Sequence, residues 1–305
     1  MPVRKTRRRK VKRKTRKQKG GDNTNTTPKP LAEMPQLCFG TVQSGLPYTL
    51  PAALELGYRH IDGAEAYDHM HRMYGLPNYK EIINKVLADI RPRIKRHELW
   101  ITWKDDHPTI EKIKRTLSDL GCEYFDLFLF HHSCGTPGEF AILQEAQKMG
   151  LIRHFGVSNC EQIETLVELK KKYNIYANQI QARPPGGSIT SRPMMEPEFI
   201  PKCNALGIRV MLFSTISSIM MLLSDGLLSK SNTDFFYTNS EKINKYYIQK
   251  FLKPSNVLMV ASQTGSSLEP NLKDVTHFLS GNTLLSKEDM KSIEEYLLSL
   301  NLAYT

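Results

Sequence analysis

The chain has 305 residues and a formal net charge of +11, and that excess charge is concentrated at one end. Residues 1–19 contain 12 of the 42 Lys and Arg residues and no Asp or Glu, so the remainder holds 30 basic residues against 31 acidic ones. The body is therefore almost neutral and has no evident need for a polyanionic partner, and its length suits one large α/β barrel or two modest domains.

The basic segment cannot fold alone, because its like charges repel and it has almost no apolar surface to bury. Residues 20–30, GGDNTNTTPKP, have the composition of a flexible linker. We therefore predict a disordered basic tail and linker over residues 1–33 and a folded domain over residues 34–305. No apolar segment follows the charged run, so the tail is not typical of a secretory signal.

The tail is compatible with three functions that the sequence does not separate. Residues 1–19 would bind nucleic acid without sequence preference, because lysine and arginine release counterions from phosphates. The same composition is typical of nuclear import signals, and it is also typical of a plain solvated arm.

The cysteines and the apolar runs bear on the location of the protein. The spacing of the cysteines suggests neither a metal site nor a disulfide framework, which predicts five reduced thiols at positions 38, 122, 134, 160 and 203. The longest apolar run, residues 210–223, is interrupted by Ser and Thr and is too short to span a membrane. We expect an intracellular monomer, cytoplasmic or nuclear, without membrane association.

Short β-rich segments alternate with helical ones along the body. The predicted strands are residues 37–41, 58–62, 99–104, 125–131, 154–159, 177–181, 209–214 and 256–262. The predicted helices are residues 50–56, 79–90, 109–120, 139–148, 160–172, 196–205, 242–252 and 287–299. Thr109 and Ser286 are predicted N-caps, and Gly121 is predicted to end a helix. Eight such units in a row predict an α/β fold, a single-domain (β/α)8 TIM barrel.

Each predicted strand has an apolar body and a polar residue at its carboxyl end. These polar residues are Thr41, Asp62, Lys104, His131, Ser158 with Asn159, Gln179, Ser214 and Ser262. The carboxyl ends of the strands of a (β/α)8 barrel meet on one face, where active sites lie. The pattern therefore predicts a functional site at that face.

Asp62 and Tyr67 suggest proton-transfer chemistry within this set. A tyrosine is almost fully protonated at pH 7 and becomes a useful acid when its pKa is lowered. An ammonium such as that of Lys104 would lower it, and a carboxylate such as that of Asp62 would hold the ammonium in place.

The segments that carry these residues, GYRHIDGAEAY, LWITWK and FDLFLFHH, resemble the aldo-keto reductase family in order and spacing. The resemblance extends from about Met34 onward. It implies an oxidoreductase that reduces aldehydes or ketones to alcohols by hydride transfer from a nicotinamide cofactor, without metal. It also implies that Tyr67 is the general acid, that Lys104 lowers its pKa, that Asp62 pairs with Lys104, and that His131 orients the carbonyl.

The same resemblance implies a cofactor site. Phe213 takes the position of the aromatic residue, usually Tyr, that stacks on the nicotinamide, and residues 264–274 resemble the stretch that clasps the adenosine and its phosphate. The implied cofactor-binding residues are Gly40, Thr41, Asp62, Ser158, Asn159, Gln179, Phe213, Ser214, Gly265, Ser266 and Ser267.

Several positions depart from the family pattern, and four of them bear directly on the choice of cofactor and substrate. The resemblance implies NADP(H) as the cofactor. Thr264 and Pro270 align with the Lys and Arg that read the 2′-phosphate of NADP, so NAD(H) stays open. Two aromatic residues of the family's substrate pocket align with Val42 and His132, so the identity of the carbonyl substrate does not carry over.

Three other interpretations remain open at this point. His69 and His71, with His131, His132 and Asp62, could form a metal-dependent hydrolase site, but a polar loop of solvated histidines explains the first two more simply. Asp62, Lys104 and Tyr67 could be a structural pair with a packing ring. The barrel could also be catalytically inactive and act as a nucleotide-binding or scaffold protein with a nucleic-acid-binding arm.

Overall fold

The computed structural model describes residues 33–42, 45–181, 198–213, 230–260 and 268–299. Eight parallel strands pair in chain order and close into a barrel, in which β1 lies beside both β2 and β8. The strands are β1 Leu37–Gly40, β2 His60–Ala64, β3 Trp100–Lys104, β4 Phe125–Phe130, β5 Ile152–Ser158, β6 Ala177–Gln181, β7 Arg209–Phe213 and β8 Asn256–Val260. The predicted (β/α)8 barrel is confirmed.

Helices surround the barrel. They are α1 Leu46–Leu56, α2 Glu65–Met73, α3 Tyr79–Ile90, α4 Ile110–Leu120, α5 Pro137–Lys148, α6 Ile163–Tyr173, α7 Phe199–Ala205, α8 Lys230–Phe251, α9 Leu268–Leu279 and α10 Lys287–Ser299, with a 3₁₀ turn at Arg96–Glu98. The predicted caps are confirmed: the hydroxyls of Thr109 and Ser286 accept hydrogen bonds from Lys112 N and Asp289 N. Gly121 ends α4 in the left-handed conformation, with φ 64°.

The segment that carries Tyr67 differs from its prediction. The sequence predicts a polar loop for His69 and His71, but both lie on α2 together with Tyr67. This helix has few apolar residues, so it lacks the periodicity by which the longer helices are recognised. It has acidic residues in its first turn and an Asp68–Arg72 ion pair one turn apart, and both features stabilise a helix.

The core has two layers, and β4 shows how the sequence builds them. Leu127 and Leu129 pack inside the barrel with Trp100 and Met211. Phe128 and Phe130 belong to the cluster between the strands and the helices. This alternation follows from the two-residue period of a strand, which turns successive side chains to opposite faces.

Gly156 sets the distance between β5 and β6. A Cβ built on Gly156 would lie 2.1 Å from the carbonyl oxygen of Ala177, so this position accepts no side chain unless the strands move apart. The close approach brings Ser158, at the end of β5, into register with Gln179 on β6. The predicted cofactor-binding residues of these two strands are adjacent for this reason.

The prediction of five reduced thiols is wrong for one pair. Cys134 and Cys160 form a disulfide, whereas Cys38, Cys122 and Cys203 are free. The two partners are 26 residues apart in sequence but follow the carboxyl ends of adjacent strands, β4 and β5, which brings them together. An intracellular location therefore no longer follows from the cysteines.

Membrane association was not expected. Within the described ranges, every helix is either too short or too polar to cross a bilayer.

Candidate active site

An ion pair between Asp62 and Lys104 lies at the centre of the predicted site. The Lys104 ammonium donates a hydrogen bond to Asp62 Oδ1, and both side chains are 0% exposed. Burial works to lower the pKa of Lys104, but the charge of Asp62 and the contact with Tyr67 outweigh it and raise that pKa. Lys104 therefore stays an ammonium inside the barrel.

Gln179 completes the surroundings of the carboxylate. Its Nε2 donates to Asp62 Oδ2 over 2.7 Å, so each carboxylate oxygen accepts a hydrogen bond from a different strand. Burial raises the pKa of Asp62, and Lys104 and Gln179 act against this rise. The carboxylate thus links β2, β3 and β6 through side chains alone.

Tyr67 lies beside this pair, in the first turns of α2. Its ring meets the ring of His131 edge-on at 5.6 Å between centroids, and Lys104 Nζ lies 5.3 Å from its centroid. The expected lowering of the Tyr67 pKa is wrong in its net direction: burial raises that pKa, and Lys104 offsets only part of the rise. The phenol therefore keeps its proton in the resting protein.

His131 follows β4 and is neutral. Burial lowers the pKa of its imidazole to about 3, and the charges of Lys104 and His132 act in the same direction. The side chain is 8% exposed, and Nδ1 has no hydrogen-bond partner among the described residues. A neutral imidazole can still donate one hydrogen bond to an incoming ligand.

The predicted cofactor-binding residues form two groups on the same face. Gly40 pairs in register with Asp62, and Thr41 Oγ1 donates to the carbonyl oxygen of Asp62 over 2.7 Å. In the second group, Asn159 adopts a left-handed conformation with φ 60°. Its Nδ2 donates to the carbonyl of His131 over 2.9 Å and to Ser158 Oγ over 3.2 Å.

Part of the predicted cofactor site lies outside the described residues. This holds for Ser214, Thr264, Gly265, Ser266 and Ser267, and also for Ser262. Phe213 ends β7 and packs against the interior cluster, and Pro270 lies in α9.

The donor set fits a nicotinamide. The hydroxyl of Ser158 and the amides of Asn159 and Gln179 offer both donors and acceptors, which is what a carboxamide requires. The left-handed backbone of Asn159 and its side-chain hydrogen bonds to His131 and Ser158 fix the orientation of its amide at the end of β5. These three residues are where a nicotinamide amide would be held.

Two polar contacts at this face were not predicted from the sequence. The Tyr79 hydroxyl bonds to Thr41 Oγ1 over 2.5 Å, and the Tyr79 ring meets the ring of Tyr67 edge-on. Asp106, in the loop after β3, accepts hydrogen bonds from the backbone N and the Nδ1 of His132, over 2.7 and 2.8 Å. The sequence does carry a signal for one partner of each contact. The helical spacing of residues 79–90 predicts that Tyr79 lies on a helix, and His132 stands out as a second histidine beside His131 at the end of a strand.

The histidines of the alternative hydrolase site do not come together as that hypothesis needs. His69 is exposed, whereas His71 is buried against Tyr79 and bonds through Nδ1 to the carbonyl of Pro77 over 3.0 Å. The description of His71 as solvated was therefore wrong. The metal-capable group that the described residues contain is a different one, Asp106 with His131 and His132.

Comparison with known proteins gives consistent matches. A family model described as the Aldo/keto reductase family matches residues 37–269. Aldo-keto reductase family 1 member D1 of Rattus norvegicus is 27% identical over 280 residues, which cover 79% of this chain and 79% of that protein. Methylglyoxal reductase DkgA of Escherichia coli strain K12 is 34% identical over 164 residues, which cover 50% of this chain and 55% of that protein.

Solved structures share the barrel. Aldose reductase from Giardia lamblia aligns with a TM-score of 0.65 at 23% identity, over 89% of this chain and 93% of that one. The Bombyx mori aldo-keto reductase AKR2E4, solved in complex with NADP, aligns with a TM-score of 0.63 at 20% identity, over 86% and 89%. At these identities the likeness shows the fold.

Proposed function

The chain belongs to the aldo/keto reductase family, and from this membership and the geometry of the barrel mouth we propose that it reduces aldehydes or ketones to alcohols with NADP(H) as the hydride donor. The observation that carries the proposal is the buried Asp62–Lys104 ion pair beside Tyr67 and His131. An ion pair with a purely structural role would not require a phenol and a neutral imidazole beside it.

Tyr67 is the general acid of this proposal. Its raised pKa keeps the phenol protonated until negative charge develops on the carbonyl oxygen. The proton then moves from Tyr67 to that oxygen, and the ammonium of Lys104 stabilises the phenolate that remains. Asp62 keeps Lys104 charged and fixed inside the barrel.

His131 orients the carbonyl. Its imidazole is neutral and is adjacent to the Tyr67 ring, so it can donate a hydrogen bond to the same oxygen that accepts the proton. An imidazolium would compete with Tyr67 as the acid, and the low pKa of His131 prevents this at neutral pH.

The nicotinamide amide is assigned to Ser158, Asn159 and Gln179, and its ring to the face of Phe213. The phosphates and the adenosine are assigned, from sequence, to Ser214 and to Gly265, Ser266 and Ser267. NADP(H) is supported by the Bombyx mori neighbour that was solved with NADP. NAD(H) stays open, because Thr264 and Pro270 stand where the family has Lys and Arg.

The basic tail is an independent element in this proposal. Residues 1–33 carry the excess charge, and residues 34–305 carry the barrel and its site. Any binding of nucleic acid belongs to residues 1–19, and the barrel acts on small carbonyl compounds as a monomer.

A turnover assay tests the proposal. The full chain is incubated with NADPH or NADH and a panel of aldehydes and ketones that includes methylglyoxal, and reduced cofactor is followed by its absorbance. We expect turnover with at least one carbonyl, and its loss in Tyr67→Phe. If the wild-type chain binds cofactor in a fluorescence titration but turns over none of the panel, the inactive nucleotide-binding barrel is the better interpretation.

A further inference from the structure

Two histidines and an aspartate converge at the barrel mouth beside the proposed site. His131 and His132 follow β4 with their rings stacked, 3.9 Å between centroids. Asp106 lies in the loop after β3, and its Oδ2 is 2.8 Å from His132 Nδ1. One ligand atom from each of the three residues lies within 4.8 Å of the others.

This donor set suits zinc. Imidazole nitrogen and carboxylate oxygen are ordinary Zn²⁺ ligands, and three protein ligands with one open position are typical of zinc sites that also bind water or a small ligand. Ligand atoms at tetrahedral zinc lie about 3.4 Å apart, since each is about 2.1 Å from the metal. The ligand atoms are up to 4.8 Å apart, so the longest separations must shorten by up to about 1.4 Å. The hydrogen bond between Asp106 Oδ2 and His132 Nδ1, at 2.8 Å, must open to admit the ion, and side-chain rotations of a few tens of degrees supply both changes.

The two outer residues can make that adjustment if the contact between the Asp106 carboxylate and His132 Nδ1 is exchanged for contacts to the ion. The side chain of His132 is 60% exposed and that of Asp106 is 32% exposed, so both can turn and the mouth is open to an ion from solvent. The ammonium of Lys104 is paired with Asp62, which offsets part of its repulsion of an arriving cation, and the Asp106 carboxylate attracts that cation.

A second observation points to a ligand at the same place. His131 is more than nine-tenths buried, yet Nδ1 has no hydrogen-bond partner within the described part of the chain. A buried polar atom without a partner is destabilising, so a metal ion that engages this imidazole and orders its surroundings has an energetic advantage. Asn159 holds the backbone of His131 in place through the carbonyl oxygen, which leaves the ring free to bind.

We propose that Asp106, His131 and His132 bind one Zn²⁺ ion and that the bound ion inhibits the enzyme. Inhibition, which rests on the proposed function, follows because the metal occupies His131 and the space beside Tyr67 where the carbonyl would be held. The binding of the metal rests on the three residues alone. A reductase with this site would respond to the level of free zinc.

The binding of Zn²⁺ is tested on the full chain without any substrate. ZnCl₂ is titrated into the metal-free protein in a calorimeter, and CoCl₂ is used as a spectroscopic probe of the ligand set. We expect one site per chain, with visible Co²⁺ bands of nitrogen and oxygen ligation and no thiolate charge-transfer band. A thiolate band would place the ion on Cys38, Cys122 or Cys203 and overturn the assignment.

Variants decide which residues hold the ion. Asp106→Asn and His132→Phe should each weaken Zn²⁺ binding on the order of tenfold or more. His107→Gln is the matched control, because this histidine neighbours Asp106 in sequence, is 85% exposed and lies outside the group of three. Unchanged affinity in both Asp106→Asn and His132→Phe, or equal weakening in His107→Gln, would refute the site.

The inhibition of turnover by Zn²⁺ is measured separately. Zn²⁺ should suppress turnover of the wild-type protein, EDTA should restore it, and His132→Phe should be suppressed less relative to its own metal-free rate. If Zn²⁺ binds as predicted and no carbonyl is turned over without metal, the proposed function fails and the site stands. If turnover is normal and Zn²⁺ neither binds nor inhibits, the site fails and the proposed function stands.

Discussion

The side chains of Asp62 and Lys104 form an ion pair across β2 and β3 with no exposed surface on either partner. Two buried charges are costly to remove from water, and this cost is offset because each charge faces the other and Gln179 bonds the remaining carboxylate oxygen. The pair is therefore a structural element of the barrel and a functional element of the proposed site at once.

Single and double substitutions separate these two roles. Lys104→Met leaves the Asp62 carboxylate buried without its partner and should destabilise the fold by about 3–5 kcal/mol. The double variant Asp62→Asn/Lys104→Met removes both charges and should recover most of that loss, although neither variant should turn over substrate. Urea denaturation measures the stabilities, and equal stability of the single and the double variant would contradict the structural role of the pair.

Tyr67→Phe removes the proposed acid and keeps the ring. The packing against His131 and Tyr79 is retained, so folding and cofactor binding should change little. Turnover should fall on the order of a hundredfold or more, because the positioned acid is lost. Tyr79→Phe is the matched control: it deletes a neighbouring phenol hydroxyl that bonds Thr41, and turnover should fall far less. Comparable losses in the two variants would argue against Tyr67 as the acid.

Asp62, predicted to end its strand, lies in the middle of β2, which continues to Ala64. The sequence was sufficient to predict the barrel and the positions of Lys104, which ends β3, and of His131, which follows β4. These positions follow from local rules, because a charged or polar residue that ends an apolar strand is visible in the chain itself. The helix that carries Tyr67 was missed, since α2 is too polar to show a buried face. The pKa of Tyr67 moves opposite to the prediction because burial, a property of the assembled barrel, outweighs the ammonium.

Two contacts depend entirely on which strands become neighbours. Cys134 meets Cys160 because β4 lies beside β5, and Asp106 meets His132 because β3 lies beside β4. Both contacts join loops whose paths have no periodic signal. A single sequence therefore shows which residues are able to form such contacts, but it does not show which of them pair.

Reduction of the disulfide should release two thiols and lower the stability. Thiol titration of the denatured chain should find three free thiols before reduction and five after it. A cross-link that closes a loop of 26 residues stabilises the fold by roughly 3.5 kcal/mol in the chain-entropy model. Cys134→Ser should reproduce the loss measured by denaturation, whereas Cys122→Ser, at a free cysteine, should not. Five thiols in the unreduced chain would contradict the pairing.

Gly156→Ala tests the close contact of β5 and β6. The new methyl group would meet the Ala177 carbonyl, which is backbone and cannot swing away, so the strands must separate at a cost of about 3 kcal/mol. Because Ser158 and Gln179 would lose their register, the Kd for cofactor should rise as well.

Gly138→Ala is the control for that substitution. Gly138 lies in the first turn of α5. Apart from its chain neighbours and the backbone of its own helix, no described heavy atom lies within 4 Å of the position that an alanine methyl group would occupy. Alanine should therefore be neutral there or stabilise the fold by up to about 1 kcal/mol. A Gly156→Ala variant as stable as Gly138→Ala would show that β5 and β6 are not packed this closely.

The buried side chain of His60 makes the stability of the fold depend on acid. This side chain is fully buried on β2, with Nδ1 bonded to the carbonyl of Pro35 over 3.1 Å and Nε2 to the hydroxyl of Thr102 over 2.9 Å. Burial lowers its pKa from 6.5 to about 3; the bond to Pro35 opposes the shift, and the charge of Lys104 adds to it. The folded protein therefore holds His60 neutral at a pH where the unfolded chain protonates it.

The sign of the effect follows from this difference in proton binding. Because the unfolded state binds more protons between pH 6.5 and about 3, the stability that His60 contributes is complete above this window and is lost as the pH falls through it. At pH 5 the loss is about 2 kcal/mol relative to pH 8. His60→Gln retains a side-chain amide for Pro35 and Thr102 but cannot titrate. The difference in unfolding free energy between wild type and variant should therefore shift by that amount, in favour of the variant, between pH 8 and pH 5. Parallel stability curves over this range would show that His60 is not held neutral by the fold.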